Sequence, residues 1–486
     1  MTLRAGYTAA VLRAWSLALT MASAGCLSTP GPAATPDATD APTSIDGPAC
    51  PDGDSDGWTT CGRYPDCADG DAAIHPGAFE RIDGSDRDCA AGEPTAEAPV
   101  LLYLNAGGLH TFTTATAVYQ LDLARGGQLA SLRLGGTEHL YRGAILENFA
   151  GVLAWNPTNN VSRSVAASGP GLTVITTGRG VALVEVGWTA GRLTGTSRFT
   201  ITVDGRLVRG DDFTVTEDVG LTGVTSYTAL DATRLTGIAW EELGGTVNPT
   251  QIAMVSSDAS EFALAGNAND DGFLCANSSA NELLWTTAVP MTVGGAGQPR
   301  RGLRATRNRS GTTGPTEQVA LQYDWEFAPI SGGRRIGYAA LWAGPTVDTA
   351  CLAGESRMRA FRAPLTLGDG AGYVVSPLAD RDIDGDGFIE DGGFWSITPT
   401  GGPVRFHFTG AGVHENWKLI HLRGPGFERD VVVVREAGDQ TRTRLIHGQD
   451  YLADPDSDGG LWLSVRGLTG ADFLEIWSPA ASAAAP

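Results

Sequence analysis

Lysine is almost missing from this chain: Lys418 is the single one among 34 basic residues, and against these stand 55 Asp and Glu. The resulting net charge of −21 argues against nucleic acid as a partner, because phosphate contacts need concentrated Arg and Lys that release counterions. It favours cations instead. Methionine is scarce too, at five residues, so soft ligands for Cu(I) are wanting. No P-loop, dinucleotide fingerprint, nucleophile elbow or HExxH occurs, which leaves little ground for an enzyme. Nor does any apolar run reach the roughly 18 residues of a membrane-spanning helix.

What the chain does have is 65 Gly and 26 Pro, a composition of many turns and short strands rather than helices. The expected class is all-β. At 486 residues the chain exceeds one compact core, so two or three domains are expected.

Arg4 and Arg13 precede an apolar run from Ala14 to Ala24, as in an export signal. The run ends in Ser23-Ala24-Gly25-Cys26, which resembles the lipobox of bacterial lipoproteins. That resemblance implies acylation of Cys26, although Ser23 stands where the family usually has Leu. Ordinary signal cleavage, giving a secreted protein, is the alternative. On the lipobox reading residues 1–26 are the signal and the protein sits in the cell envelope, at the outer membrane or surface. It then meets membrane through its lipid anchor alone. Residues 27–49, rich in Pro, Ala, Thr, Ser and Asp, read as a flexible tether.

Seven cysteines is an odd number for an exported chain, and lipidation of Cys26 accounts for it. The remaining six are Cys50, Cys61, Cys67, Cys89, Cys275 and Cys351, enough for complete pairing in an oxidising compartment. We expect Cys50–Cys61, Cys67–Cys89 and Cys275–Cys351, while the four clustered cysteines permit three connectivities. A loop as long as Cys67–Cys89 would contribute about 3 kcal/mol in the chain-entropy model. In a module this small, that decides whether it folds.

Residues 50–93 hold nine Asp and two Glu against three Arg, or −8 of the −21. Asp52-x-Asp54-x-Asp56-Gly57 is the alternation by which a short loop wraps a hard cation: carboxylates at positions one, three and five converge, and Gly permits the sharp turn. Position seven, Trp58, would offer its carbonyl. Position twelve is Arg63 rather than the Glu of an EF-hand, so this is not an EF-hand and the missing oxygens must come from elsewhere, Asp66, Asp69 and Asp71 being the candidates. The order Asp-x-Asp-x-Asp-Gly, Asp66-Cys67, Pro76-Gly77-Ala78-x-Glu80 and Asp86-x-Asp88-Cys89 resembles the metal-binding motif shared with a bacterial surface copper-binding protein. The resemblance implies a metal, with copper as the minor alternative. The ligands, all hard oxygens, favour Ca2+. Three later loops echo the alternation: Asn267-x-Asn269-x-Asp271, Asp382-x-Asp384-x-Asp386 with Glu390, and Asp454-x-Asp456-x-Asp458. The middle one is the best further cation candidate, and the other two read as hairpin turns.

From about residue 99 the chain alternates in short runs. We expect a large antiparallel β-sandwich over 99–365 and a smaller C-terminal sandwich over 366–480, with strands at Val404–Thr409, Asp430–Arg435, Gly460–Arg466 and Asp472–Trp477. The run Tyr119–Gly136 resembles the opening hairpin of the galactose-mutarotase-like supersandwich, whose members include epimerases and polysaccharide lyase domains. By fold analogy that implies carbohydrate contact. The paired His and Glu of an epimerase are not found. Trp240 with Glu241, and Tyr323 with Trp325, combine aromatics and acids as sugar sites do, and are the candidate glycan residues. The overall reading is a non-enzymatic calcium-binding envelope lipoprotein, possible partners being a divalent cation and a polysaccharide. The alternatives are an anchored carbohydrate-active lyase or hydrolase and a copper-binding surface protein.

Overall fold

The computed structural model describes most of residues 50–486 and none of residues 1–49. Beyond Cys50, the longest stretches outside the described residues are 252–262, 292–302, 308–317, 345–364 and 376–386. The chain from Cys50 to Pro486 is one compact unit. Cys26 and the expected tether fall outside the described residues, as does Cys351.

The protein is all-β. An 11-stranded sheet runs Leu102–Ala106, Leu109–Thr113, Ala117–Asp122, Gln128–Leu134, Ala150–Trp155, Gly223–Asp231, Gln318–Trp325, Leu303–Arg307, Ala263–Ala265, with two short strands off this path. A nine-stranded sheet runs Val247–Gln251, Leu235–Glu241, Phe273–Ser278, Leu283–Met291, Arg334–Gly344, Leu207–Val215, Leu193–Thr202, Val181–Ala190, Gly171–Thr177. Between them lies one core, with Phe112, Tyr119, Leu121 and Leu132 from the first sheet and Val184, Val186, Phe199 and Phe213 from the second. The expected 119–136 hairpin is present. Its strands are joined by a 3-10 turn at Leu123–Arg125, where Asp122 accepts from the Ala124 N–H. Gly126 follows with φ 67°, and a Cβ there would lie 1.9 Å from the Ser164 carbonyl oxygen, so no other residue fits.

A second sandwich follows. Leu365–Leu367, Val404–Phe408, Phe473–Trp477, Val432–Glu436 and Arg442–Arg444 form one sheet. Tyr373–Val375, Phe394–Pro399, Lys418–Leu422, Leu461–Val465 and Tyr451–Pro455 form the other, with Phe388–Ile389 beside it. All four strands expected here are found to within two residues. Their inward side chains, among them Val404, Phe406, Leu474 and Ile476 against Ile397, Ile420 and Leu463, make its core.

The two sandwiches stack. Val181 and Leu183 point away from the first core and meet Ile389, Phe394, Leu419 and Trp462. The first four residues of this strand are therefore buried on both faces, and the alternation that residues 181–188 suggest by sequence begins only beyond them. Ion pairs flank the contact: Arg198 Nη1 lies 3.0 Å from Asp391 and its Nε 2.8 Å from Glu185. Among the described residues no helix is long and apolar enough to cross a membrane.

Candidate metal centre

Within Asp52–Gly57 each carboxylate first caps its own loop. Asp52 Oδ1 accepts from Ser55 N at 2.7 Å and its Oδ2 from Gly57 N at 3.1 Å. Asp54 Oδ1 accepts from Asp56 N, and Asp56 Oδ1 from Trp58 N at 2.7 Å. These bonds turn the backbone inside out, so that ligand oxygens of Asp52, Asp54 and Asp56 lie within 4.8 Å of one another. Two oxygens each about 2.4 Å from a calcium ion can be at most about that far apart. Asp54 Oδ2 and Asp56 Oδ2 are buried with no hydrogen-bond partner.

Asp66 joins them. It is 7% exposed, its Oδ1 accepts from Ala68 N, and its Oδ2 is buried and unpartnered. Burial pushes the Asp56 carboxyl up, opposed by its bond from Trp58 N–H and by His75, and raised further by the charges of Asp54 and Asp66. Carboxylates crowded in this way with spare oxygens are what a hard divalent cation satisfies. Of the other expected ligands, Asp69 holds the loop rather than joining the cluster: its Oδ1 accepts from Gly53 N at 2.8 Å. Asp71 accepts from Ala73 N and lies exposed. The Trp58 ring is 1% exposed, among Val432, Val434, Trp477 and Ala481.

The module is stapled as expected, by Cys50–Cys61 and Cys67–Cys89, each with a Cα–Cα distance of 5.7 Å. It docks on the C-terminal sandwich. Besides the Trp58 contacts, Tyr64 packs edge-on to Trp477 at 5.6 Å, and Arg63 N donates to the Ser482 carbonyl in the terminal helix Pro479–Ala484. Gly77 of the Pro-Gly-Ala motif has φ 83°, and a Cβ there would lie 2.4 Å from the Val431 carbonyl oxygen. His447 bridges the two parts. Its Nε2 accepts from Ala453 N at 3.2 Å, so Nδ1 carries the proton and donates to the Gly77 carbonyl at 2.8 Å. Burial holds its pKa below the ordinary histidine value.

A second group of acids was not foreseen as ligands. Oxygens of Glu80, Asp86 and Asp88 also lie within 4.8 Å of one another. Burial pushes the Asp88 carboxyl up to about 6, with Glu80 and Asp86 adding to the shift and Arg444 opposing it. Glu80 is raised by burial as well. The missed signal is the Glu that closes the Pro-Gly-Ala-x-Glu motif, which pattern reading assigns no partner.

The remaining candidates divide as follows. Asp382, Asp384, Asp386 and Glu390 lie outside the described residues, as do Asn267, Asn269 and Asp271. The Asp454–Gly459 loop is a hairpin tip between Tyr451–Pro455 and Leu461–Val465, as expected. Trp240 and Glu241 belong to a strand of the nine-stranded sheet, and Tyr323 and Trp325 to one of the 11-stranded sheet. The side chains of all four, and that of Cys275, are outside the described residues.

No family model and no curated protein matches the chain. Solved structures do. A galactose 1-epimerase from Lactobacillus acidophilus NCFM shares 9% identity over 51% of this chain and 98% of its own, with a TM-score of 0.29. The Slr1438 protein from Synechocystis sp. PCC 6803 shares 9% over 52% and 98%, at 0.31. Heparan sulfate lyase HepC from Pedobacter heparinus shares 9% over 53% and 38%, at 0.29. Likeness at this level carries no activity over to the present chain.

Proposed function

We propose that this chain is a cell-envelope lipoprotein, anchored through Cys26, whose acidic module binds Ca2+ and so clasps its N-terminal end to the C-terminal sandwich. The observation that carries the reading is the convergence of Asp52, Asp54 and Asp56, with buried, unpartnered oxygens on Asp54, Asp56 and Asp66. Oxygen donors of this kind suit Ca2+, and the four module cysteines are disulfides and offer no thiolate to copper. The apolar seat of Trp58 and the His447 bridge supply the mechanical half of the idea. Once the ion fixes the 52–66 loops, the ring and the Pro-Gly-Ala turn are held against the sandwich.

Because such an ion would bind the folded chain and not the unfolded one, it stabilises by mass action, by about 2.7 kcal/mol at a hundredfold excess over Kd. Calorimetric titration of Ca2+ into the chelator-treated mature chain should therefore give binding, with a Kd raised at least tenfold by Asp54→Asn. Heat-free titration at millimolar Ca2+ would refute it. Anchoring is tested separately, by fatty-acid labelling that Cys26→Ala should abolish.

A further inference from the structure

The Glu80–Asp88 loop carries a second constellation that is independent of the first. Glu80 is 2% exposed and Asp88 1%, yet Glu80 Oε2 and Asp88 Oδ2 are both buried and without a hydrogen-bond partner. Their other oxygens are fully engaged in aiming them. Glu80 Oε1 accepts from the N–H groups of Arg87 and Asp88, both at 2.5 Å, and Asp88 Oδ1 accepts from Ala90 N at 2.9 Å. Each carboxylate is thus pinned by one oxygen and presents the other. Asp86 completes the set from the solvent side, with its Oδ1 accepting from Ala90 N at 3.2 Å.

Arg87 and Arg444 make their hydrogen bonds away from the Glu80 and Asp88 side chains, although the charge of Arg444 is felt at Asp88. Arg87 turns outward and forks onto Asp83, at 3.0 and 2.6 Å. Arg444 directs its guanidinium at the Asp88 and Cys89 carbonyls instead of their side chains. Two pinned, buried carboxylates with one spare oxygen apiece stay costly until a cation accepts both. All the donors are oxygens, no sulfur is free, and their mutual spacing suits an ion with ligands at about 2.4 Å.

We propose that Glu80, Asp86 and Asp88 form a second Ca2+ site. It requires none of the residues of the Asp52–Asp66 centre. The ion would fix the turn that the Cys67–Cys89 disulfide closes, at the place where Glu80 N donates to the His447 carbonyl and Arg444 grips the loop. The module would then be held to the sandwich at both of its ends.

The test is the stoichiometry of Ca2+ binding to the mature chain, measured calorimetrically after chelation, for the natural sequence and three variants. Two ions should bind. The Glu80→Gln, Asp88→Asn double variant keeps an oxygen for every backbone N–H that the two side chains now receive, and should bind one ion, with the affinity of the other unchanged. The exposed Asp86→Asn, which leaves the buried pair intact, should raise one Kd at least tenfold and guards against misfolding of the double variant. Asp54→Asn should weaken the remaining site alone. A single ion, lost in Asp54→Asn and unaffected by Asp86→Asn and the double variant, would overturn the second site and leave the first standing. No binding at all would remove both.

Discussion

Two loops in this molecule share the pattern Asp-x-Asp-x-Asp-Gly and have opposite fates. In Asp454–Gly459 the carboxylates find protein partners. Asp454 Oδ1 and Oδ2 accept from the N–H groups of Arg179 and Gly180, at 2.7 and 2.8 Å, and so tie the second sandwich to the first. Asp456 meets His421 Nε2 at 2.7 Å, with that imidazole stacked on Trp462. In Asp52–Gly57 the same alternation leaves Asp54 Oδ2 and Asp56 Oδ2 buried with nothing to accept from. Both loops are turns closed by a left-handed Gly, Gly57 at φ 97° and Gly459 at φ 81°. The pattern therefore specifies a turn with carboxylates on it, and the surroundings decide whether those carboxylates clamp backbone or hold an ion.

The sharpest break of this contrast is Asp454→Ala. Asp454 is 5% exposed, and its removal strands two backbone donors in a sandwich-to-sandwich seam. At 1–3 kcal/mol for each stranded group the expected loss is about 3 kcal/mol, read as a lower denaturation midpoint. Ca2+ binding should not change. If Ca2+ affinity fell with stability, the two loops would not be functionally distinct.

How far the pattern was legible follows from the same reasoning. β-Branched and aromatic residues on alternate sites located Val404–Phe408, Val432–Glu436, Leu461–Val465 and Phe473–Trp477, although only the first alternates in burial and Leu461–Val465 is buried throughout. The pattern that located them was composition, not exposure. It missed Phe394–Pro399 and Lys418–Leu422, where neighbouring residues point into different cores: Trp395 and Ile420 into the C-terminal sandwich, Phe394 and Leu419 into the seam. In the site, the spacing of Asp52, Asp54 and Asp56 carried its own evidence. Glu80 and Asp88 converge only because the intervening chain doubles back under a disulfide and Arg444, some 355 residues away, and no local spacing encodes that.

Next in size is a pH effect. Asp88 is raised to about 6 from 3.8, so the folded, metal-free chain holds that proton more tightly than the unfolded chain does. The stabilising contribution is complete below about pH 4 and is lost as pH rises towards 6, amounting to about 3 kcal/mol. In chelator, denaturation midpoints of the natural chain should fall over this window relative to those of Asp88→Asn. Parallel curves would mean that burial, with the charges of Glu80 and Asp86 behind it, does not raise Asp88 in the folded chain. Asp454 is also raised by burial and so adds to the same trend, in both chains alike and by less than it would without the N–H groups that favour its ionised form.

The smallest effect is the most discriminating, because it reverses sign. Asp54→Asn keeps an oxygen for the Asp56 N–H and removes one charge from three carboxylates whose oxygens lie within 4.8 Å. In chelator the variant should therefore be as stable as the natural chain or more so, by about 0.5 kcal/mol, since relief of repulsion at a partly exposed site is modest. In saturating Ca2+ the order should invert, as the natural chain gains binding energy that the variant forgoes. A structural carboxylate such as Asp454 cannot behave this way, because its loss destabilises in both buffers. Equal destabilisation of Asp54→Asn with and without Ca2+ would place the first loop in the same class as the second.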